Sequence, residues 1–167
     1  MALSGNIKVN SNFTQTATAD GQSATNAITH ALALAFTDGV AAGNADRIWQ
    51  DTRTLSASAT EDLDFSGSLT DIYGAAVVFA DIRAILITAA AANTNNVNVQ
   101  RATANGLLLF LAALDGLAVR PGGAFLLMCP DATGIAVAAG TADLLTITNS
   151  AGSTSVTFTI TVIGASA

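Results

Sequence analysis

Residues 156–162 read Val-Thr-Phe-Thr-Ile-Thr-Val, with a large apolar side chain at every second position. A period of two places Val156, Phe158, Ile160 and Val162 on one face of a β-strand and Thr157, Thr159 and Thr161 on the other. β-Branched Thr favours the same extended backbone, so the segment reads as a half-buried strand. The pattern recurs upstream. Leu145 and Ile147 alternate with Thr146 and Thr148, and Val97 and Val99 alternate with Asn96, Asn98 and Gln100. Ile28, Leu32, Leu34 and Phe36 occupy even positions, with Thr29, Ala31, Ala33 and Ala35 between them. Further strand candidates are Ile48–Leu55, Ala75–Ala80, Ile82–Thr88, Leu107–Leu111 and Phe125–Cys129. Leu107–Leu111 and Phe125–Met128 lack a polar face. They read as central strands buried on both sides, the first alternatively as a short helix. A short helix is also an option within Thr70–Ala80. Ala supplies 35 of the 167 residues and has the highest helix propensity, but the alternation argues against helix.

Turn chemistry separates these runs. Asp38-Gly39, Ser66-Gly67, Asn105-Gly106, Asp115-Gly116, Pro121-Gly122-Gly123 and Ala151-Gly152 each supply glycine where the chain must reverse. About eight to ten short strands joined this way predict an all-β fold, an antiparallel β-sandwich of jelly-roll type. Residues 1–27 differ: Asn10–Asn26 is polar and carries few apolar anchors. The expected organisation is an extended N-terminal arm over 1–27 and a single sandwich domain over 28–167. The arm reads either as a loosely held terminus or as a segment that gains order by laying a strand on a neighbouring subunit, anchored by Ile7, Val9 and Phe13.

Charge is scarce. Charged residues make up 11 % of the chain and apolar ones 51 %, with a net charge of −6. One Lys and five Arg give no basic footprint, which argues against direct binding of nucleic acid. No membrane span is expected, since a charge-free run such as Ala84–Gln100 is broken by Asn93-Thr94-Asn95-Asn96. A lone Cys129 cannot form an internal disulfide, and residues 1–30 lack a basic start leading into an apolar stretch, so synthesis and folding in a cytoplasm are expected. Buried interfaces lose charged residues, so a charge-poor surface fits a subunit covered by partners. A hydroxyl- and amide-coated β protein living outside cells is the other reading.

Titratable groups for catalysis are few. His30 is the only histidine and Cys129 the only thiol; His30 lies on the large-residue face of its strand, and Cys129 ends an apolar run. Both read as structural. No Gly-x-Ser-x-Gly elbow and no phosphate-binding glycine loop occurs. Asp62-x-Asp64-x-Ser66-Gly67 opens like a calcium loop, but its twelfth position, which should be a bidentate Glu, is Tyr73. A solvated strand edge entering the Ser66-Gly67 turn is the better account. The chain is expected to be no enzyme and to hold no metal or cofactor. Arg47, Arg53, Arg83, Arg101 and Arg120 lie beside strand ends, and their planar forks suit carboxylates across a subunit interface. Ordinary surface ion pairs are the alternative. Trp49 reads as a core plug or as an interface anchor.

Arg47–Gly67, RIWQDTRTLSASATEDLDFSG, and Arg120–Gly164, which opens RPGGAFLLMCPDATGIAVAAGTADLLTI and ends TSVTFTITVIG, resemble small β-rich virion proteins of tailed bacteriophages. The resemblance implies a capsid decoration, or cement, protein on the virion surface that bridges neighbouring major capsid protein subunits. Self-association as a dimer or trimer at lattice axes would accompany that role. A tail, baseplate or fibre component is the alternative within the same class. A carbohydrate-binding β-sandwich for host attachment is the alternative outside it, and would present aromatic platforms.

Overall fold

A computed structural model describes residues 2–166. The chain is all-β and antiparallel, with thirteen strands and no helix among the described residues. The first two, β1 (Gly5–Ala19) and β2 (Gln22–Phe36), pair only with each other; the rest build a two-sheet body. One body sheet runs β10 (Ala124–Met128), β7 (Asp81–Ala89), β13 (Val156–Ala165), β3 (Arg47–Leu55), with β11 (Ile135–Ala136) also on β7. The other runs β4 (Thr60–Asp64), β12 (Leu144–Asn149), β8 (Val97–Arg101), β9 (Gly116–Val119). Short β5 (Leu69–Thr70) and β6 (Ala76–Val77) form a separate pair.

The alternation in β13 explains its place at the centre of its sheet. Val156, Phe158, Ile160 and Val162 are all buried in the main core, alongside Ile85 and Ile87 of β7 and Trp49 and Leu55 of β3. Val97, Val99, Leu145 and Ile147 from the other sheet complete the same core. The threonines of β13 face outward and pair across the sheet. Thr159 Oγ1 lies 2.9 Å from Thr52 Oγ1, and Thr157 Oγ1 lies 3.0 Å from Thr54 Oγ1. Hydroxyl pairs of this kind keep the outer face wet without using charge. The β13 register on β7 shifts between Ile163 and Gly164. A side chain at Gly164 would put its Cβ 2.1 Å from the Asp81 carbonyl, so the bulge requires glycine there.

Set aside the three two-residue strands and number the remaining body strands from first (β3) to eighth (β13). One sheet then runs first-eighth-third-sixth and the other second-seventh-fourth-fifth. Chain neighbours therefore often lie in opposite sheets, and the termini of the body meet side by side as β3 and β13.

Three sequence readings need correction. The boundary at 27/28 falls inside β2, because Asp20 (φ 52°) and Gly21 (φ 75°) form a two-residue turn that returns the chain along β1. Positive φ at both central positions matches the twist of the flanking strands, the hairpin geometry that an Asp-Gly pair favours. What reads as an arm of 27 residues is half of a hairpin spanning Gly5–Phe36. Leu107–Leu111 is neither a central strand nor a helix: it is a looped stretch with Leu107 buried and Leu111 99 % exposed. Phe125–Met128 lies in β10, a half-buried edge strand bonded only to β7.

Candidate docking surface

The β1–β2 hairpin keeps an unbroken register over fifteen residue pairs. Because side chains alternate faces, Ile7–Leu34, Val9–Leu32, Ser11–His30 and Phe13–Ile28 lie on one side. Asn6–Ala35, Lys8–Ala33, Asn10–Ala31 and Asn12–Thr29 lie on the other. The ribbon is thus amphipathic. At its base the apolar side is covered: Ile7 and Leu34 pack with Leu3, Phe36, Ala45, Ala84, Met128 and Ile163 in a small second core on the body. Beyond the base it is bare, with Phe13 67 % and Ile28 52 % exposed. Ile28–Phe36 is therefore a strand, but its large face is buried only toward Phe36; His30 is exposed, not a core histidine.

The hairpin joins the body through a buried cation. Arg83 of β7 is fully buried and forms an ion pair with Asp81. Its guanidinium also donates to the carbonyls of Val40 (3.0 Å) and Ala41 (3.2 Å) in the loop that follows β2. On its other side it donates to those of Asp131 (2.7 Å) and Ala132 (3.2 Å). The hydrogen bond to Asp81 raises the Arg83 pKa above its ordinary value despite burial, so the group stays charged. The partner loop is fixed locally. Asp131 accepts from the Thr133 hydroxyl and from the backbone N–H groups of Thr133 and Gly134, which lower its pKa to about 2.

Of the residues the sequence singles out, Ile7, Val9 and Phe13 come together on the hairpin, joined by Ile28 and Leu32. The others do not form one surface. Trp49 is a core residue, 2 % exposed, packed edge-on to Phe65 and donating from Nε1 to the Thr70 carbonyl at 3.1 Å. It is neither an interface anchor nor an aromatic platform. Arg53 bridges Asp51 and Glu61, both at 2.8 Å, with its guanidinium carbon 5.8 Å from the Trp49 ring centre. Arg101 donates to the carbonyls of Phe110 (3.3 Å) and Leu111 (3.1 Å) and so supports the 106–114 loop within its own chain. Arg47 pairs loosely with Asp46 at 3.5 Å, and Arg120 is exposed. Arg83, which the sequence offers as an interface arginine, is instead fully buried as the tie at the hairpin base. Its side chain is buried by residues distant in sequence, at 40–41 and 131–132.

Asp62 and Asp64 face separate hydroxyls. Asp62 accepts from Thr146 at 2.6 Å, and Asp64 from Ser66 (2.6 Å) and Ser68 (2.5 Å). Burial acts to raise the Asp64 pKa, but the Ser66 and Ser68 hydrogen bonds outweigh it and the net shift is downward. Cys129 is half-buried, and burial, with the Asp131 charge adding to it, pushes its pKa up, which disfavours the reactive thiolate. An apolar groove of about 430 Å³ lies beside edge strand β3; Leu3, Ile48, Ile72, Tyr73 and Val77 help to line it. Comparison with family models, with curated proteins and with solved structures finds no match to this chain.

Proposed function

We propose that this chain is a non-enzymatic structural subunit of a virion, a decoration protein that sits on the capsid and bridges major capsid protein subunits. The observation that carries the reading is the hairpin: beyond a base packed on the body, the ribbon from Gly5 to Phe36 exposes the large apolar side chains of Val9, Phe13, Ile28 and Leu32 to solvent. A two-stranded ribbon is at best marginally stable alone in water, and bare apolar surface of this kind is what an assembling subunit buries. Two further features support it. The strand orders first-eighth-third-sixth and second-seventh-fourth-fifth fit a jelly roll, an architecture used by viral capsid domains and also by lectins. Three threonine hydroxyl pairs lie on the outer sheet faces, and uncharged hydroxyls cost less to desolvate than charges would.

The mechanism is added interface. Each copy buries uncharged β surface against its neighbours and so opposes separation of the lattice. The test is the copy number of this chain in purified particles, by quantitative mass spectrometry against the major capsid protein. A simple fraction of the capsid subunit count supports decoration, because closed symmetry fixes stoichiometry. A handful of copies moves the chain to the tail, and absence from particles overturns the virion reading.

A further inference from the structure

We propose that Asp64 and Asp143, which share the Ser66 hydroxyl where β4 ends and β12 begins, form a calcium site. The inference does not rest on the virion reading.

The first observation is a stranded oxygen. Asp143 is 5 % exposed. Its Oδ2 accepts from the Gly140 N–H at 2.6 Å and lies 3.2 Å from the Ser66 hydroxyl. Its Oδ1 is buried and accepts no hydrogen bond among the described residues. A buried carboxylate oxygen left without a donor or a positive charge is costly. The residue is also fixed in place. Its N–H donates to the Asn105 carbonyl at 2.9 Å, and its carbonyl accepts from the Phe65 N–H at 3.0 Å, so the backbone is pinned from both sides.

The second observation is a second carboxylate on the same hydroxyl. Ser66 Oγ lies 2.6 Å from Asp64 Oδ1 as well as 3.2 Å from Asp143 Oδ2. A serine hydroxyl carries one proton and donates to only one of them. The other carboxylate then meets a lone pair, and the negative charge of the two is left for a cation to offset. Ser68 adds a further oxygen beside Asp64 Oδ2, at 2.5 Å. Asp64 and Ser66 are half-buried and Ser68 is exposed, which leaves a path of entry from solvent on that side.

The donors are all oxygens, the set that suits a hard cation. Calcium accepts mixed carboxylate and hydroxyl oxygens in flexible geometry and completes its shell with water, whereas magnesium demands a near-ideal octahedron. No group of three or more His, Cys, Asp or Glu side chains converges among the described residues. Two carboxylates therefore set the affinity, which belongs in the weak range of about 10⁻⁴–10⁻³ M. The spacing Asp62-x-Asp64-x-Ser66-Gly67 opens like a calcium loop whose closing Glu is replaced by Tyr73. Asp143, seventy-seven residues after Ser66, supplies a carboxylate from outside the loop. Asp62 takes no part, because its carboxylate meets Thr146. A cation held this way ties edge strand β4 to the segment that leads into β12.

The experiment is a calcium chloride titration of the chelator-stripped full-length chain, followed by amide NMR shifts and by melting temperature. Saturable shifts confined to residues 64–68 and 140–143 are expected, with a rise in melting temperature that magnesium at the same concentration does not match. Asp143→Asn and Asp64→Asn should each weaken binding by about tenfold or more, since each removes a ligand charge. Asp62→Asn should bind as wild type does. The wild-type shifts locate the site even where a variant fails to fold. No saturable binding below about 10 mM calcium would mean that water meets Asp143 Oδ1, and overturns the proposal. Shifts centred elsewhere, an equal response to magnesium, or binding that survives both Asp143→Asn and Asp64→Asn overturn it as well.

Discussion

The hairpin and the body are built from the same kind of strand and meet opposite fates. β2 and β13 both alternate large apolar residues with small or hydroxylated ones. In β13 the apolar row is sealed by the facing sheet, and Phe158 is 1 % exposed; in β2 the matching row has no facing layer beyond its base at Leu34 and Phe36, and Ile28 is 52 % exposed. Alternation therefore specifies a strand with two unlike faces, but does not say what covers the apolar one. The contrast separates the residues that hold the subunit together from those available to a partner, and substitution should reveal it.

The largest effect is expected in the body. Phe158→Ala leaves a cavity between the sheets and should destabilise the purified subunit by about 3–5 kcal/mol in denaturant unfolding. Phe13→Ala, chemically the same change, should leave the unfolding of the monomeric body within about 0.5 kcal/mol of wild type. Equal losses at the two positions would mean that the hairpin and body share one core.

The joint between the regions comes next. Arg83→Met removes the cation from Asp81 and strips donors from the four carbonyls of Val40, Ala41, Asp131 and Ala132. Asp81 keeps some solvent access, which places the cost near the lower end for a broken buried pair, about 3 kcal/mol. The loss should be accompanied by faster amide exchange in residues 37–46, because that loop depends on the guanidinium. A loss of stability without local loosening there would show that Arg83 supports β7 alone.

A smaller and more local effect is expected at the hairpin turn. Gly21 has φ 75°, so Gly21→Val forces a β-branched residue into left-handed backbone at a cost of about 1–2 kcal/mol. Amide exchange should rise along β1 and β2 while the body's melting temperature stays unchanged. A matching drop in the body would contradict the independence of the two regions.

These same residues explain what the sequence could and could not reveal. β13, β12 and β8 were legible because their alternation is uninterrupted and the rows they predict are buried. Leu107–Leu111 misled because a run of five apolar residues looks the same whether it lies in a buried strand or on a loop held by Arg101. Residues 10–26 looked like an unpaired arm because polar and small side chains dominate them. The Asp20-Gly21 pair was the local signal that they belong to a hairpin. Ile7, Val9 and Phe13 could be singled out as anchors because they are the large apolar residues in a polar stretch. Their pairing with Leu34, Leu32 and Ile28 required the register. The arginines were legible as charges but not as partners, since each finds its acceptors through contacts set by the tertiary fold.

The smallest effect is a dependence on pH at the joint. Asp131 has a folded pKa of about 2, held down by the Thr133 hydroxyl and by the N–H groups of Thr133 and Gly134. An unfolded Asp titrates near ~3.9. Because folding lowers this pKa, the group's contribution to stability is fully present above the unfolded value. It is lost as the pH falls from about 4 toward about 2. Asp131→Asn keeps the shape but removes the charge that those donors stabilise. Its melting temperature should therefore lie slightly below wild type at neutral pH, with the gap closing across that acid window. The side chain is exposed, so the gap should be small, and smaller still in high salt. Because the Asp131 carbonyl also accepts from Arg83, a gap that stays constant with pH would trace the effect to the backbone tie under the hairpin and not to the carboxylate.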